Sequence, residues 1–231
     1  MVSVRIVETF VSKQGEGLWT GVESAFVRVG GCNLHCSFCD TTYASWNCDD
    51  AEELSVEEIV ARVLLFGVRH VVITGGEPML FSELIPLTRR LKERDRKITI
   101  ETAGTLELPV VCDLMSISPK MANSTPHGAD ESIRRRHEIN RFRPNVVRKL
   151  IADYPYQLKF VAGEPEDLLE IDQYLSELGA FDPSRVCIMP MAIDVFSMRE
   201  KAEWIVPYCR AHKYEYTPRM QIEWYGNRRG T

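Results

Sequence analysis

The chain has 231 residues, 45% hydrophobic and 26% charged, with 28 Lys and Arg against 33 Asp and Glu for a net charge of −5. Those proportions exclude a disordered or fibrous chain, and the acidic balance gives no global attraction to a phosphate backbone, so no nucleic-acid partner is expected. No run reaches the roughly 18 apolar residues of a membrane span, and the N-terminus lacks the basic-then-apolar order of a secretory leader; a cytoplasmic protein without membrane contact is expected, read as one domain over residues 1–231.

In chain order, short Val- and Ile-rich runs predict strands at residues 4–10 and 24–29, the second leading straight into a cysteine-rich loop. Ser55 and Glu58 form a capping-box pattern that opens a helix ending near Gly67. A strand at 70–73 runs into a glycine pair, and a helix follows over 82–94 with Leu84, Ile85, Leu87 and Leu91 on one side. Strands are predicted next at 97–101 and 111–117. Residues 134–149 then carry seven basic residues and one acidic residue, Glu138, which reads first as a solvated helix in an insertion, with a local anion-binding patch as the alternative. A strand at 157–161, a helix opened by Pro165, a strand at 186–189 and a helix over 197–211 complete the chain. Strand–helix alternation predicts an α/β fold with a mostly parallel sheet, doubly wound or curved into a partial (β/α) barrel, and several strands, apolar nearly throughout, read as covered on both faces.

Seven cysteines is an odd number, in a chain too large to need bridges, so thiols or metal ligands are expected rather than disulfides. Cys32, Cys36 and Cys39, spaced C-x3-C-x2-C, follow a strand directly and so lie where parallel α/β folds build their sites. Three thiolates on one 4Fe–4S cluster leave one iron without a protein ligand, an arrangement for chemistry rather than simple electron transfer. A zinc knot with Cys48 as fourth ligand is the competing reading, disfavoured because Cys48 follows Cys39 closely and has no partner of its own. Downstream, Thr74-Gly75-Gly76-Glu77-Pro78 closes the strand at 70–73 with a turn whose glycines let the backbone approach a ligand.

Together, the cysteine spacing, Phe38 before the third cysteine and the Gly-Gly-Glu turn resemble the radical S-adenosylmethionine (SAM) enzymes. Residues 8–17 and 25–32, Cys39-Asp40-Thr41, residues 101–105, Ser118-Pro119-Lys120 and the tail 224–230 narrow the likeness to the 7-carboxy-7-deazaguanine synthase family. The resemblance implies a partial barrel of the radical SAM type. It implies a lyase that turns 6-carboxy-5,6,7,8-tetrahydropterin into 7-carboxy-7-deazaguanine with loss of ammonia, on the route to queuosine and related deazapurines.

The implied cofactors are a 4Fe–4S cluster on Cys32, Cys36 and Cys39, SAM, and Mg²⁺ at Thr41. Family residues that line SAM fall on Phe38, Cys39, Asp40, Gly76, Ser118, Pro119, Lys120, Met189, Pro190, Met191 and Ala192. Pterin contacts fall on Lys13, Gln14, Gly15, Arg28, Thr74 and the chain terminus at Thr231. Arg28 offers a planar fork to a substrate that carries a carboxylate. A flavodoxin- or ferredoxin-type one-electron donor and a homodimer are implied as partners. Lys13 stands where the family usually has an aliphatic residue and Ala103 where it commonly has Asn, and His35 and Cys48 have no assigned role. Two other readings share some of these features: a small activase that installs a glycyl radical on a partner protein, and a zinc-stabilised binding domain.

Overall fold

The computed structural model describes residues 3–226 and 228–230. Its strands are β1 (Val4–Lys13), β2 (Glu23–Val29), β3 (Glu52–Leu54), β4 (His70–Gly75), β5 (Lys97–Thr102), β6 (Leu114–Ile117), β7 (Tyr156–Ala162), β8 (Val186–Pro190) and β9 (Glu215–Tyr216). Its helices are α1 (Thr42–Ser45), α2 (Val56–Leu65), α3 (Leu84–Glu93), α4 (Glu131–Arg141), α5 (Pro144–Asp153), α6 (Asp167–Leu178), α7 (Val195–His212) and α8 (Met220–Tyr225). The strands form one sheet in the order β3-β1-β2-β4-β5-β6-β7-β8-β9. From β2 onward every neighbour is parallel, whereas β1 pairs antiparallel with both β2 and β3. Among the described residues β3 and β9 do not pair with each other, so the sheet curves into an open, partial barrel.

The strand period of two sorts the side chains by chemistry. On the outer face, Val27, Val29, Val71, Ile73, Ile98, Ile100, Met115, Ile117, Leu158, Phe160, Val186 and Ile188 are fully buried in the core. They pack on Ile59 and Val63 of α2, Leu87 and Leu91 of α3, Val147 and Leu150 of α5, Ile171 and Leu175 of α6, and Ile205 of α7. The alternate positions, Arg28, Thr74, Glu101, Ser116 and Lys159, face a cavity on the concave side. The expectation of strands covered on both faces is therefore corrected. One face is dry and packed; the other is polar and lines a hollow.

Several predicted boundaries move for identifiable reasons. The run at 111–117 pairs only from Leu114, because Asp113 turns inward to accept Ile98 N–H at 2.7 Å and Lys92 Nζ at 2.8 Å. Pro165 lies in the turn before α6 rather than inside its first turn. Residues 134–149 are two helices, not one, since Arg143 breaks the helix and Pro144 starts the next, a position where its missing N–H costs nothing. α5 is thus an ordinary crossover helix between β6 and β7, and α4 alone is the insertion. The short edge strands β3 and β9 carry too few residues to show a period. No helix of the described residues is long and apolar enough to cross a membrane.

The capping box at α2 forms as predicted: Glu58 N–H donates to Ser55 Oγ at 3.3 Å, and Ser55 N–H donates to Glu58 Oε2 at 2.8 Å. Ser55→Ala is expected to cost about 1 kcal/mol, read as a lower urea midpoint with an unchanged slope.

Candidate active site

The carboxyl ends of β2 and β4 to β8 open onto a single large cavity of about 780 Å³. Three chain segments build the wall nearest β2: the cysteine loop after β2, the glycine turn after β4, and the segment after β5. Cys32, Cys36 and Cys39 all line the cavity, whereas Cys48 does not; it lies against Gly30 and meets Arg5 Nη1 at 4.0 Å. The fourth ligand that a zinc knot needs is therefore absent from the cavity wall. Among the described residues no three His, Cys, Asp or Glu side chains gather to hold a single metal ion. Three soft thiols spread along one wall suit a body several atoms across, and a 4Fe–4S cluster has that size and that ligand preference. Burial pushes the thiol of Cys32 up to about 12 and that of Cys36 to about 11, so both are neutral until a metal replaces their protons.

The cysteine loop is held from behind. His35 N–H donates to His137 Nδ1 of α4 at 3.0 Å, and His137 Nε2 meets Ser124 Oγ at 3.0 Å. Burial holds His137 down at about 4, so its ring is neutral, with Nδ1 accepting and Nε2–H donating. Asn140 Nδ2 of the same helix donates to Asn33 O at 3.3 Å, and Ser37 N–H donates to Ser124 O at 2.9 Å. The His35 ring stacks on Trp46 with centroids 3.5 Å apart, which gives His35 a packing role.

The glycine turn fits where a side chain would not. A Cβ on Gly76 would lie 2.0 Å from Gly31 O, and Gly75 has φ +130 with a Cβ 2.2 Å from Val29 O. The turn and the cysteine loop therefore touch through their backbones, with Glu77 N–H donating to Gly31 O at 2.9 Å. Glu77 itself is fully buried and points away from the cavity. Its oxygens accept Met79 N–H at 3.0 Å, Thr102 Oγ1 at 2.8 Å and Ala103 N–H at 2.8 Å, while burial raises its pKa. The acid of the Gly-Gly-Glu turn is a staple between β4 and β5; what it offers a ligand is the backbone it holds in place.

A chain of charges crosses the cavity opposite the thiols. Lys159 Nζ lies 2.5 Å from Glu16 Oε2 and 3.6 Å from Glu101 Oε1, and Glu101 Oε2 accepts Thr74 Oγ1 at 2.7 Å. Glu16 Oε1 also accepts Gln221 Nε2 at 2.7 Å and Arg219 Nε at 3.3 Å, and Arg219 pairs in turn with Asp40 beside the third cysteine. Burial works against the Glu16 charge, but Lys159 and Arg219 outweigh it and hold its carboxyl down at about 2. The same pairing raises Lys159 against its own desolvation. On β2, Arg28 Nε donates to Glu8 Oε1 at 2.7 Å with both side chains mostly buried, and among the described residues its terminal amino groups have no partner.

Residues 26–154 match the Radical SAM superfamily. Over 231 aligned residues the chain is 42% identical to 7-carboxy-7-deazaguanine synthase of Rhodopirellula baltica, covering 99% of this chain and 89% of that one. The chain belongs to the 7-carboxy-7-deazaguanine synthase family. It is also 37% identical to the Halobacterium salinarum protein of the same name over 94% of this chain and 88% of that one. The crystal structure of QueE from Escherichia coli overlays with a TM-score of 0.75 at 25% identity, covering 94% of each chain. Membership disfavours both the activase and the zinc-domain readings, and the open sheet is the partial barrel expected of a radical SAM fold.

The site residues expected from sequence fall largely together. Lys13, Gln14, Gly15, Arg28, Phe38, Cys39, Asp40, Thr41, Thr74, Gly76, Ser118, Lys120, Met189, Pro190, Met191 and Ala192 all line the cavity. Pro119 does not; it lies between two lining residues without reaching the cavity. Thr231 lies outside the described residues. Gln14 is buried with its side-chain nitrogen donating to Ser24 Oγ at 2.9 Å, and its backbone N–H and carbonyl are taken by Val22 O and Gly21 N–H, so its side-chain carbonyl, without a hydrogen bond among the described residues, is the part left for a ligand. Lys13 Nζ sits 5.8 Å from the Trp224 ring. Ala103 lines the cavity and uses only its N–H, toward Glu77. Glu16, Glu101, Lys159, Arg219 and Gln221 line the cavity and were not singled out as site residues from sequence. For Lys159 a signal existed: a lone lysine inside an otherwise apolar strand. For Arg219 none did.

Breaking a buried pair leaves one charge without its partner. Lys159→Met is expected to cost about 3–5 kcal/mol in urea unfolding, and adding Glu16→Gln to recover part of that loss. The depressed Glu16 pKa contributes stability that is complete above the ordinary carboxylate range and is lost as pH falls from there toward about 2. Glu16→Gln is expected to flatten acid unfolding in that window, followed by circular dichroism.

Proposed function

We propose that the chain converts 6-carboxy-5,6,7,8-tetrahydropterin to 7-carboxy-7-deazaguanine with loss of ammonia. One observation carries the reading: three thiols fit for a cluster and an arginine fork, its terminal nitrogens without a hydrogen bond among the described residues, face the same cavity. With cluster and SAM bound, the pair supplies a 5′-deoxyadenosyl radical that takes a hydrogen atom from the substrate. The chain's own residues bind, orient and shield. Arg28, braced by Glu8, takes the substrate carboxylate through its terminal amino groups. The side-chain carbonyl of Gln14 and the backbone N–H of Gly15, with Thr74, frame the pterin ring. Lys159 acts as a fixed cation rather than a base, because Glu16 and Glu101 hold its proton.

On the cofactor side, the backbone of Gly76 serves the amino group of SAM. Lys120, whose Nζ donates to Ser118 O at 2.9 Å and Ser118 Oγ at 2.7 Å, serves its carboxylate and ribose. Phe38 and Asp40, with Met189 to Ala192, line the adenine. Thr41 offers one hydroxyl to Mg²⁺, which needs the substrate and water to complete its shell. A flavodoxin- or ferredoxin-type protein supplies the electron, and the chain works as a homodimer in the cytoplasm.

Anaerobically reconstituted protein, given SAM, reductant, Mg²⁺ and the carboxylated pterin, is expected to be brown and to form the deazapurine. Absence of product from a fully loaded enzyme rejects the reading. Arg28→Ala is expected to lower kcat/KM about 10- to 150-fold, the loss of one charge-assisted pair. Binding of a tetrahydropterin lacking the 6-carboxylate should be unchanged by that substitution.

A further inference from the structure

The solvent face of α4 is not used by the cavity, yet it lies directly behind the cysteine loop. His35 N–H and Asn33 O, each one residue from a ligand cysteine, bond to His137 and Asn140 on the inner side of this helix. On the outer side, Arg134, Arg135 and Arg136 are exposed, and among the described residues they form no ion pair. Ile139 is exposed beside them, 57%, one turn on from Arg135, while Phe142, just past the end of the helix, lays its ring edge-on to Tyr174 at 5.4 Å. Acids nearby do not cancel this charge. Glu138 is engaged by Thr125 and Arg141, leaving Asp130 and Glu131 at the start of the helix.

We propose that this face of α4 docks the acidic one-electron carrier that reduces the cluster. The inference rests on the reading of the cysteine loop as a cluster site. α4 braces the loop from the side away from the cavity, so a carrier docked on its outer face approaches the cluster site without entering the cavity. A cationic face with the exposed Ile139 beside its arginines, on a chain of net charge −5, concentrates an acidic partner at one place and repels it elsewhere. A flavin carrier in its hydroquinone form gives up one electron and becomes the semiquinone; the cluster accepts that electron and passes from the 2+ to the 1+ state.

The test uses the reconstituted holoenzyme with R134E/R135E/R136E and the milder R134Q/R135Q/R136Q. Turnover is driven either by photoreduced flavodoxin or by dithionite, and oxidised flavodoxin is titrated calorimetrically into each protein. Charge reversal is expected to weaken flavodoxin binding and raise its KM by about 10-fold or more, with the glutamine variant intermediate and dithionite-driven turnover unchanged. Raising salt should weaken binding to the wild type and have little effect on the reversed variant. Unchanged flavodoxin affinity overturns the proposal, as does equal loss with dithionite. A dimer split by the reversal would assign the face to a second copy, and tRNA bound by wild type and lost in the variant with flavodoxin affinity intact would assign it to RNA; either overturns it. Absence of dithionite-driven product from the wild type would instead sink the functional reading, and the calorimetric arm would still decide the docking face.

Discussion

A single buried ammonium, that of Lys159 in the middle of β7, decides how the open sheet is closed. Its partner Glu16 is 143 residues away, on the loop after β1. The same loop is stitched to the far side of the sheet by Gly17 N–H on Thr217 Oγ1 at 2.6 Å, Leu18 N–H on Gln157 Oε1 at 2.8 Å and Met220 N–H on Gly15 O at 2.9 Å. A closed barrel would make this join with backbone ladders between its first and last strands. Here a polar loop spans the gap, and Arg219 extends the span to Asp40 on the cysteine loop. Ion pairs withdrawn from water add little net stability, because desolvation opposes their attraction. Their effect is geometric: loop, sheet and C-terminal segment meet in the one arrangement that leaves no charge unpaired.

That constraint also explains why the two halves of the site behave differently. On the thiol side, positions are fixed largely by backbone contact, through glycines and the buried Glu77, and the side chains left facing the cavity include three soft thiols. Across the cavity, positions are fixed by charge, and the side chains are hard and ionic.

Local signals carried much of this architecture. The parallel strands were legible as short β-branched runs, α2 from its capping box, and the cysteine loop from spacing and its place after a strand. What escaped was non-local or too short. β3 and β9 have three and two residues, below any period. The break between α4 and α5 turns on Pro144, a residue equally at home at a helix start or in a loop. The alternation in β7 was present in Gln157, Lys159 and Val161 but was masked by hydrophobic neighbours. Nothing near Arg219 in sequence indicates that it meets Glu16 and Asp40, 203 and 179 residues away. Periodicity tells which face a residue takes; only the closed fold tells what it meets there.

The charge pattern of the cavity follows from the same pairing. Lys159 is matched by Glu16 and Glu101, and Arg219 by Glu16 and Asp40, so neither has positive charge to spare. Arg28 is different, because its partner Glu8 is shared with Arg229 at 2.9 Å and two cations divide one carboxylate. Lys120 donates to the carbonyl and hydroxyl of Ser118, and no carboxylate pairs with it among the described residues. The cavity of an acidic protein therefore holds surplus positive charge at two separate points, Arg28 on β2 and Lys120 beyond β6. The proposed reaction brings in two carboxylates, one on the methionyl part of SAM and one on the pterin. Were Lys159 and Arg219 equally unpaired, either carboxylate could settle at the wrong wall. Their neutralisation by Glu16, Glu101 and Asp40 together is what makes the remaining cations selective.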